Sequence, residues 1–430
     1  MARRSLGRQF GWLLAAYAVS AYGSGLALGA FPLIAVLVLH ASPVQVSALS
    51  AVGPAAGALI AVPLAPWVEF RRKRPVMIAM DLSRFAVMTT IPVAYAFGWL
   101  SFLQLLVVSA VVAATKIAFT AASGAYLKTL VGPDGLLVAN ARFESTNWGS
   151  LAVGPPLGGA AIGLFGPVTT VLADALSYLF SALGIIAIRG REEHTQRADQ
   201  SRVLASELLD GWRHILAHSG LRALYLNSLL VGGLIMATEP LLAVLLLRQL
   251  GFPPWQYGLA FAAPCVGGLI GSRLARWVVA RYGQHRVFRT VGTVRAVWLI
   301  GLAFIRPGVV GLVTVMAVEL AIIVSMSLYS PVLATYRLEH TPKDRIARTL
   351  SAWSISTSAA IAIFTALGGL LADATSPRTA LTVAGLLIFA SPLLLPRRER
   401  PAPRGDREPV EQASASDNRL QAPHQHSHDR

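Results

Sequence analysis

The sequence is short of charged residues and has almost no cysteine. Asp, Glu, Lys and Arg make up only 13% of its 430 residues, about half the share found in a typical soluble domain. This composition excludes a water-soluble globular protein. The single cysteine, Cys265, excludes an intramolecular disulfide.

Several catalytic signatures are also missing. The chain has no G-x-x-x-x-G-K-[ST] phosphate-binding loop, so any ATP-driven process would need another subunit. Its apolar stretches contain no paired acids, no H-E-x-x-H and no G-x-S-x-G, which argues against an intramembrane enzyme. The histidines His424, His426 and His428 near the C-terminus form a weak pattern that does not predict a metal site. We therefore expect no cofactor and no metal.

Acidic residues are outnumbered by basic ones, 21 against 37, which gives a net charge of +16 and an isoelectric point near 10.8. In a soluble domain this excess would favour nucleic-acid binding. Here the basic residues are spread over short loops instead of forming one basic surface. Nucleic acid is therefore not an expected partner.

Apolar residues fill most of the chain. They make up 54% of it, and the mean hydropathy is +0.58. The apolar runs between turn signals are long enough to cross a hydrocarbon layer of ~30 Å. They predict twelve transmembrane helices, over residues 11–38, 43–67, 75–97, 101–124, 139–164, 166–188, 221–249, 255–280, 286–305, 308–334, 347–373 and 377–395.

The basic residues are distributed unequally between the two sides of these predicted helices. With the N-terminus inside, the cytoplasmic segments contain most of them, including the runs 71–74 and 273–286. The outer loops hold only Arg248, Arg306 and Arg378. By the positive-inside rule, both termini are expected in the cytoplasm.

A polar segment divides the predicted helices into six plus six. We predict an N-terminal six-helix bundle over 1–190, a cytoplasmic linker with an amphipathic helix over 191–220, a C-terminal six-helix bundle over 221–396 and a disordered cytoplasmic tail over 397–430. The two halves are weakly similar at an offset of about 210 residues, as in transporters built from parallel repeats. Gly158 and Gly159 align with Gly368 and Gly369, and Arg84 aligns with Arg295.

Three features resemble the major facilitator superfamily. The chain has twelve predicted helices in two halves, a basic loop after the second helix that recurs after the eighth, and a GP-x-x-GG element in the fifth. The phrases VEFRRKRPVMIAMDLSR, NARFESTNWGSLAVGPPLGG and LADALSYLFSALG resemble its bacterial drug, macrolide and siderophore efflux branch. The resemblance implies an all-α protein of the bacterial inner membrane, expected to be a monomer. It also implies export of a small amphipathic molecule, such as a drug or antibiotic-like metabolite, by proton antiport.

Other functions remain open at this stage. A siderophore exporter or a small-molecule importer has the same fold. A non-transporting or lipid-handling membrane protein is a further alternative. It is supported by the two basic loops, whose motifs are degenerate.

Two basic loops resemble the cytoplasmic gate motif of the superfamily, G-x-x-x-D-R-x-x-R-R. The first copy departs from the motif by placing glutamate at the aspartate position, and the second has lost the acid. The alternative interpretation is that these cations only set the topology. The motif residues are Glu69, Arg71, Arg72, Lys73 and Arg74 in the first loop, and Arg281, Gly283 and Arg286 in the second.

The fifth predicted helix resembles the antiporter motif, which the superfamily associates with export. Small residues let a neighbouring helix approach closely, and proline bends the helix. Ordinary small-residue packing is the alternative interpretation. The motif residues are Gly149, Gly154, Pro155, Gly158 and Gly159.

Three acids inside the predicted helices are candidates for binding a proton or the cargo, because an ionisable group in a membrane needs a partner, a wet cavity or a transport role. Glu319 is the first choice, since it lies near the middle of the tenth helix. Glu239 in the seventh helix and Asp174 in the sixth follow. The family often has aspartate in the first helix, at the position of Ser24, so proton coupling is implied here by resemblance only.

Four other charged residues are expected to form structural ion pairs: Asp81, Arg84, Lys116 and Arg295. Asp81 and Arg84 are three residues apart and can meet on one helix face. Arg295 is the repeat mate of Arg84, but Gly292 stands where its acid would be. Lys116 lies at the depth of Asp81 and is expected to pair with it. If it is unpaired, it would attract an anionic substrate.

Overall fold

The computed structural model of the chain describes residues 7–69, 71–131, 133–188, 204–262, 264, 266–342 and 345–395. Regular structure in these residues is helical. The α-helices are α1 (Arg8–Leu26), α2 (Ala30–Leu33), α3 (Pro43–Glu69), α4 (Lys73–Ala96), α5 (Phe102–Leu130), α6 (Pro133–Phe165), α7 (Pro167–Ile186), α8 (Leu204–Ala217), α9 (Ser219–Ala243), α10 (Pro254–Ala262), α11 (Val266–Tyr282), α12 (Gln284–Trp298), α13 (Val309–Glu339), α14 (Ile346–Ala374) and α15 (Pro377–Ile388).

The helices are built for a membrane. Eleven helical stretches of the described chain are long and apolar enough to cross one, and α6 occupies the fifth predicted span. Large apolar side chains are exposed along them, such as Leu164 (78%), Val309 (72%) and Trp277 (60%). In a membrane protein such surfaces face lipid. The predicted all-α fold with twelve transmembrane helices is confirmed.

Some crossings are less regular than predicted. The first is interrupted at Gly29, whose φ of +83° is readily adopted only by glycine, and continues through α2 into a π-helical turn, Ile34–Val38. The ninth changes from α-helix to a 3₁₀ segment at Leu299–Phe304. The predicted linker helix is α8. The rest of the linker, the tail after residue 395 and the side chain of Glu69 lie outside the described residues.

The helix ends form two faces of the bundle. We call the face with Arg8, Arg71 and Arg281 the basic face, and the other the opposite face. The first six crossings (α1–α7) are called the N-half and the last six (α9–α15) the C-half. The two halves meet mainly where α3 packs on α14 and where α6 packs on α10.

Contacts between the halves are close toward the opposite face. A Cβ atom added at Gly159 of α6 would lie 3.1 Å from Cα of Gly258 in α10. The Arg248 guanidinium also donates to the Ala41 carbonyl oxygen, at 3.2 Å, across the two halves. Toward the basic face, α11 instead packs on α13 of its own half, where a Cβ atom added at Gly271 would meet Val324 and Ser327 of α13. The space between the halves therefore opens toward the basic face.

Candidate functional site

Two charged residues within crossings have exposed side chains, Glu239 and Lys116. Glu239 of α9 is exposed, and its charge interacts with Glu319 of α13 and Tyr257 of α10. Lys116 of α5 is also exposed, and it interacts electrostatically with Asp174 and other charges of the N-half. A charge that faces lipid is costly, so we infer that both side chains line the space between the halves, which we call the central cavity.

The first polar cluster of this cavity belongs to the C-half. Glu239 and Glu319 are 80 positions apart in sequence, yet the fold brings them close enough for their charges to interact, with Tyr257 beside them. Within the described residues, neither carboxylate has a hydrogen bond or an ion pair. Two unpaired carboxylates near one another in a membrane protein are costly unless water, a proton or a cation reaches them.

The second cluster belongs to the N-half and surrounds Asp174 of α7. Its Oδ1 atom accepts a hydrogen bond from the Ser24 hydroxyl at 3.3 Å. The Ser177 hydroxyl donates to the Asp174 carbonyl oxygen at 2.7 Å and also lies 3.3 Å from Oδ1. Because Ser24 has one proton, the Tyr178 hydroxyl donates to Ser24 in turn, at 2.7 Å. Asp174 thus lies beside the position where the resemblance implied an acid in the first crossing.

An ion pair connects with this cluster. The Arg84 guanidinium donates to the Asp81 carboxylate at 2.7 Å, and both side chains are buried. The other oxygen of Asp81 accepts from the Ser181 hydroxyl at 2.7 Å. Arg84 also stacks on the Tyr178 ring, 4.4 Å from its centroid. The expected Lys116–Asp81 pair is absent from the described residues, because Arg84 and Ser181 already occupy the Asp81 oxygens.

The repeat mate of Arg84 has a different partner. Arg295 is buried, donates to the Asn227 amide oxygen and lies 3.7 Å from the Tyr329 ring centroid. It forms no ion pair with any acid of the described chain, in contrast to the expected structural pairing, since Gly292 replaces the acid in its own helix. Asn227 in turn donates to the Ser391 carbonyl oxygen at 2.7 Å, so the cluster links α9 and α12 to the end of the last crossing.

The antiporter-like residues of α6 lie where helices approach most closely. Cβ atoms added at Gly154 and Gly158 would collide with the backbone of α1 at Gly25 and Leu26. A Cβ atom added at Gly149 would lie 2.7 Å from the Tyr22 hydroxyl oxygen, also on α1. On the other side of α6, Gly159 and the Pro155 carbonyl meet α10. These residues thus connect α1, beside Ser24, with the contact between the halves.

The gate-like residues lie at the basic face. The Arg74 guanidinium donates to the Ile185 and Ile186 carbonyl oxygens at the end of α7, at 3.1 and 2.6 Å. Lys73 donates to the Arg71 carbonyl oxygen at 2.7 Å. Exposed gate-like residues are Arg71, Arg72, Arg281, Gly283 and Arg286. Gly283, at φ +78°, makes the turn between α11 and α12.

A separate apolar groove of about 400 Å³ lies between α4 and α5, lined by residues that include Phe97, Trp99 and Gln104. It is at the opposite face, and none of its lining residues belongs to either polar cluster. We therefore assign the site to the central cavity.

The Major Facilitator Superfamily matches residues 13–343 of the chain, which is more than half of its length. The chain belongs to this superfamily. The superfamily is one of membrane transporters and not of enzymes. The efflux pump Tap of Mycobacterium tuberculosis is similar, with 31% identity over 250 residues that cover 54% of this chain and 56% of Tap. The chain thus spans about half the length of the curated relatives it matches.

Solved structures share the fold. The nucleoside transporter NupG superposes with a TM-score of 0.73 at 12% identity, over 90% of this chain and 99% of NupG. A bacterial homologue of the iron transporter ferroportin superposes at 0.70 in its inward-facing state, with 19% identity over 91% of this chain and 98% of that one. In the outward-facing state the score is 0.59, with 17% identity and 90% and 98% coverage.

The acids of both clusters were predicted as candidates from the sequence, but their surroundings were not. Tyr257 and Tyr178 were missed, and nothing in their local sequence distinguishes them from packing residues. Asn227 carried a usable signal, because a buried amide in an apolar crossing needs a partner. At position 24 the sequence indicated only that the expected acid is missing, and not that the serine hydroxyl binds Asp174.

Proposed function

We propose that this transporter exports a small amphipathic molecule from the bacterial cytoplasm in exchange for protons. In this proposal the N-half and C-half are two six-helix bundles that rock about the central cavity, so that it opens to one side at a time. The basic face is cytoplasmic, by the positive-inside rule. The chain as described here is then in an inward-facing state.

The observation that carries the proposal is the pair Glu239 and Glu319 on the C-half wall of the cavity. Neither carboxylate has an ion-pair partner in the described chain, and their charges repel. A proton bound by the pair removes the repulsion, and so does a cationic group of the cargo. Protons and cargo would therefore compete for the same carboxylates, which is the physical basis of antiport.

Asp174 is the second candidate in this scheme. It lies in the N-half, with only hydroxyl partners, where a charge is expensive and a proton can be exchanged. Its chain of hydroxyls leads through Ser24 to α1. A change in the protonation of Asp174 would therefore alter its hydrogen bond with Ser24 of α1.

Two observations favour export over import. The relative Tap is a multidrug efflux pump, although similarity over half its length does not extend to its cargo. The glycine and proline residues of α6 fit tightly against α1 and α10, in keeping with the antiporter motif that they resemble. The accumulation of compounds in cells measures the direction.

The test compares cells that express the wild type, Glu319→Gln or the control Asp373→Asn, whose exposed carboxylate lies near the end of α14. We expect the wild type and the control to lower the accumulation of toxic amphipathic compounds such as ethidium. A protonophore should abolish this effect, and Glu319→Gln should resemble cells without the protein. Greater accumulation with the wild type would instead indicate import. Full protection by Glu319→Gln would move the proton site to Glu239 or Asp174.

A further inference from the structure

Lys116 occupies an unusual position for a cation. It lies fourteen residues from either end of α5, at the middle of the crossing, and its side chain is exposed to the central cavity. No carboxylate of the described chain is within ion-pair distance, and its ammonium group has no hydrogen-bond acceptor there. A charge at this depth is retained where it binds something.

The acids nearest to Lys116 have other partners. Asp81 is bound by Arg84 and Ser181. Asp174 interacts with the Lys116 charge at longer range, but its oxygen accepts from Ser24 and Ser177. Arg84 adds a repulsion. Within the described residues the Lys116 ammonium therefore has no partner, and its donors are left for a ligand.

The other wall of the cavity has the opposite charge. Glu239 and Glu319 of the C-half are unpaired, as Lys116 of the N-half is. We propose that Lys116 is the anion-binding group of the cargo site, and that the cargo is zwitterionic. Its carboxylate contacts Lys116, while its protonated amine contacts Glu239 and Glu319. This inference rests on the proposed transport function and specifies the class of substrate.

The charge of Asp174 should affect how tightly Lys116 binds the anionic end of the cargo. A cargo carboxylate at Lys116 and the Asp174 carboxylate are both attracted to the same ammonium group and repel each other. Removal of the Asp174 charge therefore strengthens binding of the anionic end. The isosteric variant Asp174→Asn keeps an oxygen that accepts from Ser24 and Ser177, so it removes the charge with little change in shape.

The experiment measures binding by the purified full-length chain in lipid nanodiscs, with intrinsically fluorescent probes. Ciprofloxacin carries an amine and a carboxylate, and its methyl ester keeps only the amine. We expect the wild type to bind ciprofloxacin about tenfold more tightly than the ester, as expected for one charge-assisted hydrogen bond. Lys116→Gln should bind the two equally, Lys116→Arg should keep the preference, and Asp174→Asn should increase it.

The control is Thr120→Val, one turn along the same exposed face of α5, which should keep the wild-type preference. The inference is overturned if the wild type does not prefer the acid or binds neither probe, or if Lys116→Gln retains the preference. Export is measured separately with both probes in cells. A wild type that binds selectively but exports neither contradicts the transport proposal alone, and export without selectivity contradicts the inference alone.

Discussion

Ser24 and Asp174 are joined by a hydrogen bond of 3.3 Å between α1 and α7. The resemblance to the superfamily implied an acid at position 24, and the chain has serine there. The carboxylate comes instead from the sixth crossing, 150 positions away, and reaches the same point in the N-half. A candidate proton site thus exists where the local sequence of the first crossing lacks one.

Loss of this hydroxyl should weaken the N-half. Ser24→Ala removes the donor to Asp174 and the acceptor of Tyr178, both in a largely buried region, so we expect a loss of about 1–3 kcal/mol in stability. Thermal unfolding in detergent measures it. Ser83→Ala, which removes only a bond to its own helix, is the control. Equal melting temperatures for the two variants would mean that the Ser24 network contributes nothing.

The close approach of α6 to α1 should not tolerate a side chain at Gly158. Gly158→Leu forces the helices apart, at a cost of about 1–3 kcal/mol for overpacking, and we expect export in the cell assay to be lost. Gly163→Leu is the matched control on the same helix, because nothing lies within 4 Å of its Cβ position. Normal export by the Gly158 variant would exclude this contact as part of the transport cycle.

Truncation of Arg84 should lower the free energy of unfolding more than truncation of Arg295. Arg84→Met leaves Asp81 buried without its cation, which typically destabilises by about 3–5 kcal/mol. Arg295→Met leaves only the neutral Asn227 oxygen without a donor, at about 1–3 kcal/mol. Thermal unfolding should therefore show a larger drop for the Arg84 variant. The reverse order would indicate that Arg295 has an ionic partner.

A histidine at the basic face should make stability depend on pH. The Nδ1 atom of His218 accepts from the Leu221 amide at the start of α9, at 3.2 Å. Burial, together with His340 and His214, lowers the pKa of His218 below its ordinary 6.5. The native state then binds fewer protons than the unfolded state, so this stabilisation is present above pH 6.5 and is lost as the pH falls through the lowered pKa.

The check on His218 uses asparagine, which caps a helix without titrating in this range. Between pH 7.5 and 5.5 the melting temperature of His218→Asn should fall less than that of the wild type. His285→Asn, at the start of α12, controls for the removal of a histidine elsewhere on this face. An unchanged pH dependence in His218→Asn would show that the cap does not respond to protons.

Much of the architecture could be predicted from the sequence because lipid imposes a simple rule on each crossing. Apolar length predicts the twelve helices, and Gly292 explains why Arg295 lacks the ion pair that was expected of it in the described chain. Contacts between distant residues could not be read in this way. Nothing in the sequence brings Glu239 to Glu319, or separates Lys116 from Asp81, because these depend on how helices rotate and pack.

The most direct test of proton-coupled export uses the purified chain in liposomes that enclose a pH-sensitive dye. A compound that the wild type expels from cells is applied as a gradient, and its movement and the internal pH are recorded together. We predict that protons move opposite to the compound with the wild type, and that Glu319→Gln moves neither. Transport of the compound by the wild type with no accompanying proton movement would contradict the account.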